Sequence, residues 1–213
     1  MNSRVRSFIH TSIHTYGTWG IWLLLFSLIG LLAGCGQPSY TFHATPVDPP
    51  RLMAEMPGTN WDNSAFHLSA LKGKVVVLFF GYTNCPDVCS LALADLTALY
   101  RQLGERANEI AVVFVSTDPQ RDTTERLAAY VQAFNEKFYG VHIAEADLPA
   151  VKKFYGIYSE VNQEQHGPTA QDYFVDHSGY FYVLDKAGQW RLFTAFDTPI
   201  ADLQADVEQL LRE

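Results

Sequence analysis

The chain has 213 residues, of which 48% are apolar and 18% charged, with a formal net charge of -8. This composition excludes a disordered chain and leaves room for one domain with a sizeable core plus extensions. The acidic surplus, with no basic run beyond the first residues, speaks against a nucleic-acid partner, and three cysteines are too few for a disulfide-built scaffold.

Residues 1–34 read as a targeting segment. Arg4 and Arg6 make a basic start, no acidic residue precedes Asp48, and an apolar run follows from Trp19 to Leu32. The run is shorter than the ~20 apolar residues a membrane span needs, and small residues stand where a signal peptidase cuts. Leu32-Ala33-Gly34-Cys35 resembles a bacterial lipoprotein signal, in which the cysteine takes lipid and becomes the mature N-terminus. The expectation is a lipid anchor at Cys35 on the outer face of a bacterial membrane, the alternative being a single N-terminal transmembrane anchor. Residues 35–60 contain half of the chain's prolines, Pro38, Pro46, Pro49, Pro50 and Pro57. That predicts an extended, semi-rigid tether. Met53 and Met56, soft thioethers of the kind copper favours, fall in this stretch and read as ordinary linker residues.

From Trp61 onward the pattern is α/β. Ala65 to Leu68 is a short strand, and Leu71-Lys72-Gly73-Lys74 a turn. Val75 to Phe80 is a continuous apolar run, as in a strand buried on both faces. A helix with Pro86 in its first turn carries Leu91, Leu93, Leu96, Leu99 and Leu103 and stops near Leu103-Gly104. Ile110 to Val115 is a second buried strand. Asp122 and Glu125 predict a capping box for a helix to about Phe134. Val141 to Ile143 is a short strand, and Asp147 caps a helix to Tyr155-Gly156. Tyr180–Leu184 and Trp190–Thr194 flank Asp185-Lys186-Ala187-Gly188 as a hairpin. Pro199 opens a last helix with Ile200, Leu203, Val207 and Leu210 on one face. Alternation followed by an antiparallel pair predicts a mixed β-sheet flanked by helices, with a C-terminal hairpin and helix.

The chemistry centres on Cys85-Pro86-Asp87-Val88-Cys89. A helix starting here sets the two sulfurs one turn apart on one face, and a helix N-terminus favours thiolate. Such a pair either forms a disulfide or holds a soft metal ion. Three intervening residues, against the two of a thioredoxin-type redox site, suit separate thiolates at one metal. Imidazole is the usual third ligand. Of seven histidines, His177, just ahead of the apolar strand at Tyr180, leads His166 only modestly. Asp176 is a candidate to orient the imidazole. Asp87 is either a helix-dipole partner or a docking carboxylate. Asp118-Pro119-Gln120-Arg121-Asp122 reads as a turn and helix cap.

Gly81-Tyr82-Thr83-Asn84-Cys85-Pro86-Asp87-Val88-Cys89, Val113 to Thr123 and Val175-Asp176-His177-Ser178 together resemble the motifs of the Sco/SenC family of copper-binding, thioredoxin-like proteins. The resemblance spans about Trp61 to Leu211. Ser90 replaces a frequent proline, and the loop Ser159 to Asp172 is particular to this chain. The resemblance implies a thioredoxin-like domain over residues 61–213 with copper held by Cys85, Cys89 and His177, as Cu(I) and also as Cu(II). It implies a role in delivering copper to the binuclear copper centre of cytochrome c oxidase, a metallochaperone more than an enzyme, or in keeping that centre's cysteines reduced. Its partner would be the binuclear copper-centre subunit of cytochrome c oxidase or another copper chaperone. A thiol–disulfide oxidoreductase that reduces the partner's cysteines, or a copper or redox sensor, are the competing readings.

Overall fold

The computed structural model describes residues 40–166 and 173–213, with backbone only for 163–166. The leader, Cys35 and residues 167–172 lie outside the described residues. The described residues form ten strands and four α-helices. In chain order they are β1 (Thr45–Leu52), β2 (Gly58–Asn60), β3 (Ala65–Phe66), β4 (Val75–Gly81), α1 (Val88–Gln102), β5 (Ile110–Ser116), α2 (Thr124–Phe134), β6 (Tyr139–His142), α3 (Leu148–Tyr155), β7 (Ser159–His166), β8 (Tyr173–His177), β9 (Tyr180–Leu184), β10 (Gln189–Ala195) and α4 (Ile200–Arg212). Eight strands form one mixed sheet in the order β1-β10-β9-β4-β5-β6-β2-β3, and β7 and β8 form a separate two-stranded ribbon.

The apolar run of β4 takes the centre because all seven of its residues are buried. It pairs in parallel with β5 and antiparallel with β9. Alternation along β4 divides the core into two layers. Val75, Val77 and Phe79 pack with Leu93, Leu96 and Leu99 of α1 and Leu203, Val207 and Leu210 of α4. Val76, Leu78 and Phe80 face the other way, onto Leu68, Leu71, Val151 and Tyr155. Each such side chain contributes about 1.5–3 kcal/mol on leaving water. The hairpin at Asp185 forms as the sequence predicts: the Asp185 carboxylate accepts the Ala187 and Gln189 N–H groups, and Gly188 takes φ 80°.

Four local expectations are corrected. The tether expected over residues 35–60 gives way to sheet: β1 pairs antiparallel with β10, Met53 and Met56 are buried, and the compact unit runs from Thr41 to Glu213 rather than from Trp61. The prolines fit because β1 is an edge strand whose pairing shifts register between Pro46 and Arg51. Helix α1 starts at Val88, so Cys85 and Pro86 sit in the turn before it. Thr123, not Asp122, caps α2, its hydroxyl accepting the Arg126 N–H. The polar loop from Ser159 is strand as far as His166 and pairs with β8.

Candidate metal centre

Strand β4 ends at Gly81, and the turn after it places the first sulfur. The Cys85 N–H donates to the Tyr82 carbonyl at 3.2 Å, closing that turn. Cys89 lies in the first turn of α1 and is fully buried. Its sulfur rests against the backbone of Gly81: a Cβ there would lie 2.6 Å from Cys89 Sγ. Glycine is therefore demanded by a close approach rather than by a turn.

His177 arrives from the end of β8. Its Nε2 is 3.4 Å from Cys89 Sγ and 3.9 Å from Cys85 Sγ. The ring stands edge-on to Tyr82 and Phe79, with centroids 5.7 and 6.2 Å away. Nδ1 lies 3.2 Å from the Ser178 carbonyl. A carbonyl only accepts, so Nδ1 donates to it, and Nε2 is the ring nitrogen that faces the sulfurs. The three donor atoms lie within 4.8 Å of one another. Bonds of about 2.0–2.3 Å let one ion bridge donors up to ~4.6 Å apart, so small movements suffice to seat a metal. The thiols are not joined by a disulfide.

The two sulfurs differ electrostatically. The Cys85 thiol is lowered to about 4, chiefly because the Cys89 thiol donates to it, with help from His177 and the Asp87 and Cys89 backbone N–H groups. Burial pushes the Cys89 thiol up, and the neighbouring Cys85 charge pushes it further. One proton shared by the pair thus stays on Cys89, and Cys85 is the thiolate.

Of the sequence candidates, Cys85, Cys89 and His177 come together. His166 does not: it pairs with Tyr173, four residues along β8 from His177, about 13 Å of extended chain. Asp176 is exposed and accepts from Asn162 Nδ2 at 3.0 Å, while the Ser178 carbonyl does the orienting expected of it. Asp87 is exposed and its backbone carbonyl accepts from Ser90 Oγ. Asp122, expected from the sequence as a helix cap, has a different role. This carboxylate is fully buried and accepts the Thr83 N–H at 3.0 Å, the Thr83 hydroxyl at 2.6 Å and the Ser116 hydroxyl at 2.7 Å. Burial pushes its carboxyl up against those hydrogen bonds. It fastens the cysteine turn, through Thr83, to the end of β5.

A family model described as SCO1/SenC matches residues 47–212. An SCO2-like protein of Rickettsia prowazekii is 34% identical over 126 residues, 59% of this chain and 60% of that protein. The matched region thus spans less than two thirds of that relative's length. The solution structure of apo Sco1 from Thermus thermophilus superposes with a TM-score of 0.71 at 30% identity, covering 82% of this chain and 100% of that one. The copper-bound structure of ScoI from Bradyrhizobium japonicum gives a TM-score of 0.67 at 28% identity, covering 75% of this chain and 99% of that one. The mixed sheet and its flanking helices are those of a thioredoxin-like fold.

Proposed function

This chain belongs to the SCO1/SenC family, and on that premise we propose that it is a copper metallochaperone for assembling the binuclear copper centre of cytochrome c oxidase. The observation that carries the proposal is the convergence of Cys85, Cys89 and His177 at one point of a fold shared with copper-bound relatives. Copper is the cargo. Two thiolates and an imidazole suit a soft ion, and Cys85, half-exposed and already deprotonated, is the sulfur that an incoming thiolate reaches first. Replacement of Cys85 by a partner sulfur, then of Cys89 and His177, passes the ion across without releasing it to water. The recipient is the copper-centre subunit of the oxidase or another copper chaperone.

The anchoring belongs to the same proposal. Cys35 carries lipid, and the domain works on the outer face of a bacterial membrane. The basic start, the apolar run to Leu32 and the Leu32-Ala33-Gly34-Cys35 ending support this. Among the described residues no helix is long and apolar enough to cross a membrane.

The depressed Cys85 thiol beside a protonated Cys89 favours a second reading, reduction of a partner disulfide, with Cys85 attacking and Cys89 resolving. His177 separates the two. In an anaerobic Cu(I) titration of the reduced full-length chain against a competing chelator, one ion should bind, and His177→Ala should weaken it by at least the roughly 10–100-fold that loss of a group merely supporting a ligand costs. Equal binding by parent and variant, no tighter than an unrelated dithiol, removes the copper reading and leaves the reductase.

A further inference from the structure

We infer that Arg121 is the positioning residue that sets how closely His177 approaches the two cysteines, and that it acts through Tyr173. The inference rests on the reading of Cys85, Cys89 and His177 as the metal donors.

His177 is carried by a ribbon of two strands, β7 and β8, outside the main sheet. Two strands alone are marginal in water, and Val161 and Phe174 of this ribbon are exposed. The imidazole is therefore placed only as well as β8 is fastened to the rest of the molecule. Two fastenings precede His177. The Val175 N–H donates to the Tyr82 hydroxyl at 3.2 Å, tying β8 to the cysteine turn. Tyr173 is held at three points. Its carbonyl accepts from Arg121 Nη1 at 2.7 Å, its ring lies 3.5 Å below the guanidinium carbon, and its hydroxyl donates to Asp118 Oδ1 at 2.7 Å.

Arg121 itself has little freedom. Nε donates to Asp118 Oδ2 at 2.5 Å, and the two side chains are 6% and 4% exposed. The guanidinium also faces the Tyr82 ring at 5.6 Å. Asp118, Arg121 and Asp122 thus form one bracket after β5. Its Asp122 arm holds the cysteine turn through Thr83, and its Arg121 arm holds the histidine strand through Tyr173. Both limbs of the donor set are referenced to the same five residues, which fixes the sulfur-to-nitrogen spacing. Arginine is required here because a planar guanidinium stacks flat on a ring while its N–H groups donate in that plane, whereas an ammonium, although it has three donors, has no face to stack.

A structural ion pair alone would, on removal, lower the melting temperature without moving His177 relative to Tyr82. The test separates the two. In the reduced, metal-free full-length chain, nuclear Overhauser contacts between the His177 imidazole and the Tyr82 and Phe79 rings should be present. Arg121→Lys keeps the charge beside Asp118 and loses the stack, and those contacts should fall by about half or more. With Cu(I) as the probe, affinity should drop about tenfold, the scale of lost ligand support, and X-ray absorption should show the nitrogen shell diminished while both sulfurs remain. Tyr173→Phe keeps the ring under the guanidinium and the bond to its carbonyl but loses the hydroxyl's bond to Asp118, and should reduce the contacts less than Arg121→Lys does. If Arg121→Lys fails to fold, Tyr173→Leu carries the same comparison. A folded Arg121→Lys protein with parental His177 contacts overturns the inference. A parent that binds no Cu(I) overturns the copper proposal instead, and the imidazole contacts still decide the role of Arg121.

Discussion

The two cysteine thiols share one turn of chain, but Cys89 is fully buried against Gly81 while Cys85 reaches solvent. Their reactivity should diverge accordingly. A thiol of ordinary pKa near 8.5 loses roughly a thousandfold of its thiolate between pH 8 and pH 5. Cys85, lowered to about 4, stays ionised as pH falls through that range. Alkylation of the reduced, metal-free chain by iodoacetamide, mapped by mass spectrometry, should modify Cys85 at a nearly constant rate from pH 8 to pH 5 and leave Cys89 largely unmodified. A Cys85 rate that drops with each unit of acidification would show an ordinary thiol and remove the electrostatic asymmetry between the sulfurs. The three residues that come together were legible: a cysteine pair at a strand–turn–helix junction is a local pattern, and the motif around His177 completes it. Arg121 and Asp122 were not. Their partners, Tyr173 and Thr83, lie 52 and 39 residues away, and from nearby sequence an aspartate ahead of Thr-Thr-Glu reads as a helix cap. Asp122 is drawn inward by three donors instead, and Thr123 takes the capping role.

Among the elements, β1 is the one whose composition misleads. Prolines signal an extended chain, and extended chain is also what a sheet edge accepts where its N–H groups face solvent. The strand is held at its start by α4, where the buried Asp206 carboxylate accepts the N–H groups of His43 at 3.0 Å and Ala44 at 2.7 Å. It is held at its end by Arg51, stacked 4.8 Å over Trp190. A chain beginning at Thr41 should therefore melt as the intact domain does. One beginning at Trp61 loses β1, β2 and the burial of Met53 and Met56, 6% and 1% exposed. Those two side chains alone represent about 3–6 kcal/mol, or a melting point lower by roughly 10 °C or more in a domain of this size. Equal melting temperatures for the two truncations, read by circular dichroism, would mean that residues 45–60 add nothing to stability. Elements whose signals are internal to them were read well. Continuous apolar runs gave β4 and β5, the Leu203, Val207 and Leu210 spacing gave α4, and a glycine turn gave the β9–β10 hairpin. Strand β7 was missed because Ser-Glu-Val-Asn-Gln-Glu-Gln lacks apolar alternation. It is strand because it borrows a partner in β8.

For the molecule as a whole, stability should be uneven. Strands β4 and β5 are buried along their full length and pair with each other over seven residues, whereas the β7–β8 ribbon has only its own partner strand. Amide hydrogen exchange should be slowest in β4 and β5 and open earlier in β7–β8, since local opening follows the burial of each unit. Simultaneous exchange of both regions would show one cooperative block instead. The same arrangement has a consequence for how the protein is manufactured. Cys85 and His177 are 92 residues apart, about 5–20 s of ribosomal synthesis. Until β8 has emerged and Val175 has found Tyr82, the chain carries the two neighbouring thiols without the His177 imidazole. Cys85, Cys89 and His177 can meet only once residue 177 has been made, so a premature stop anywhere before it leaves a dithiol open to oxidation.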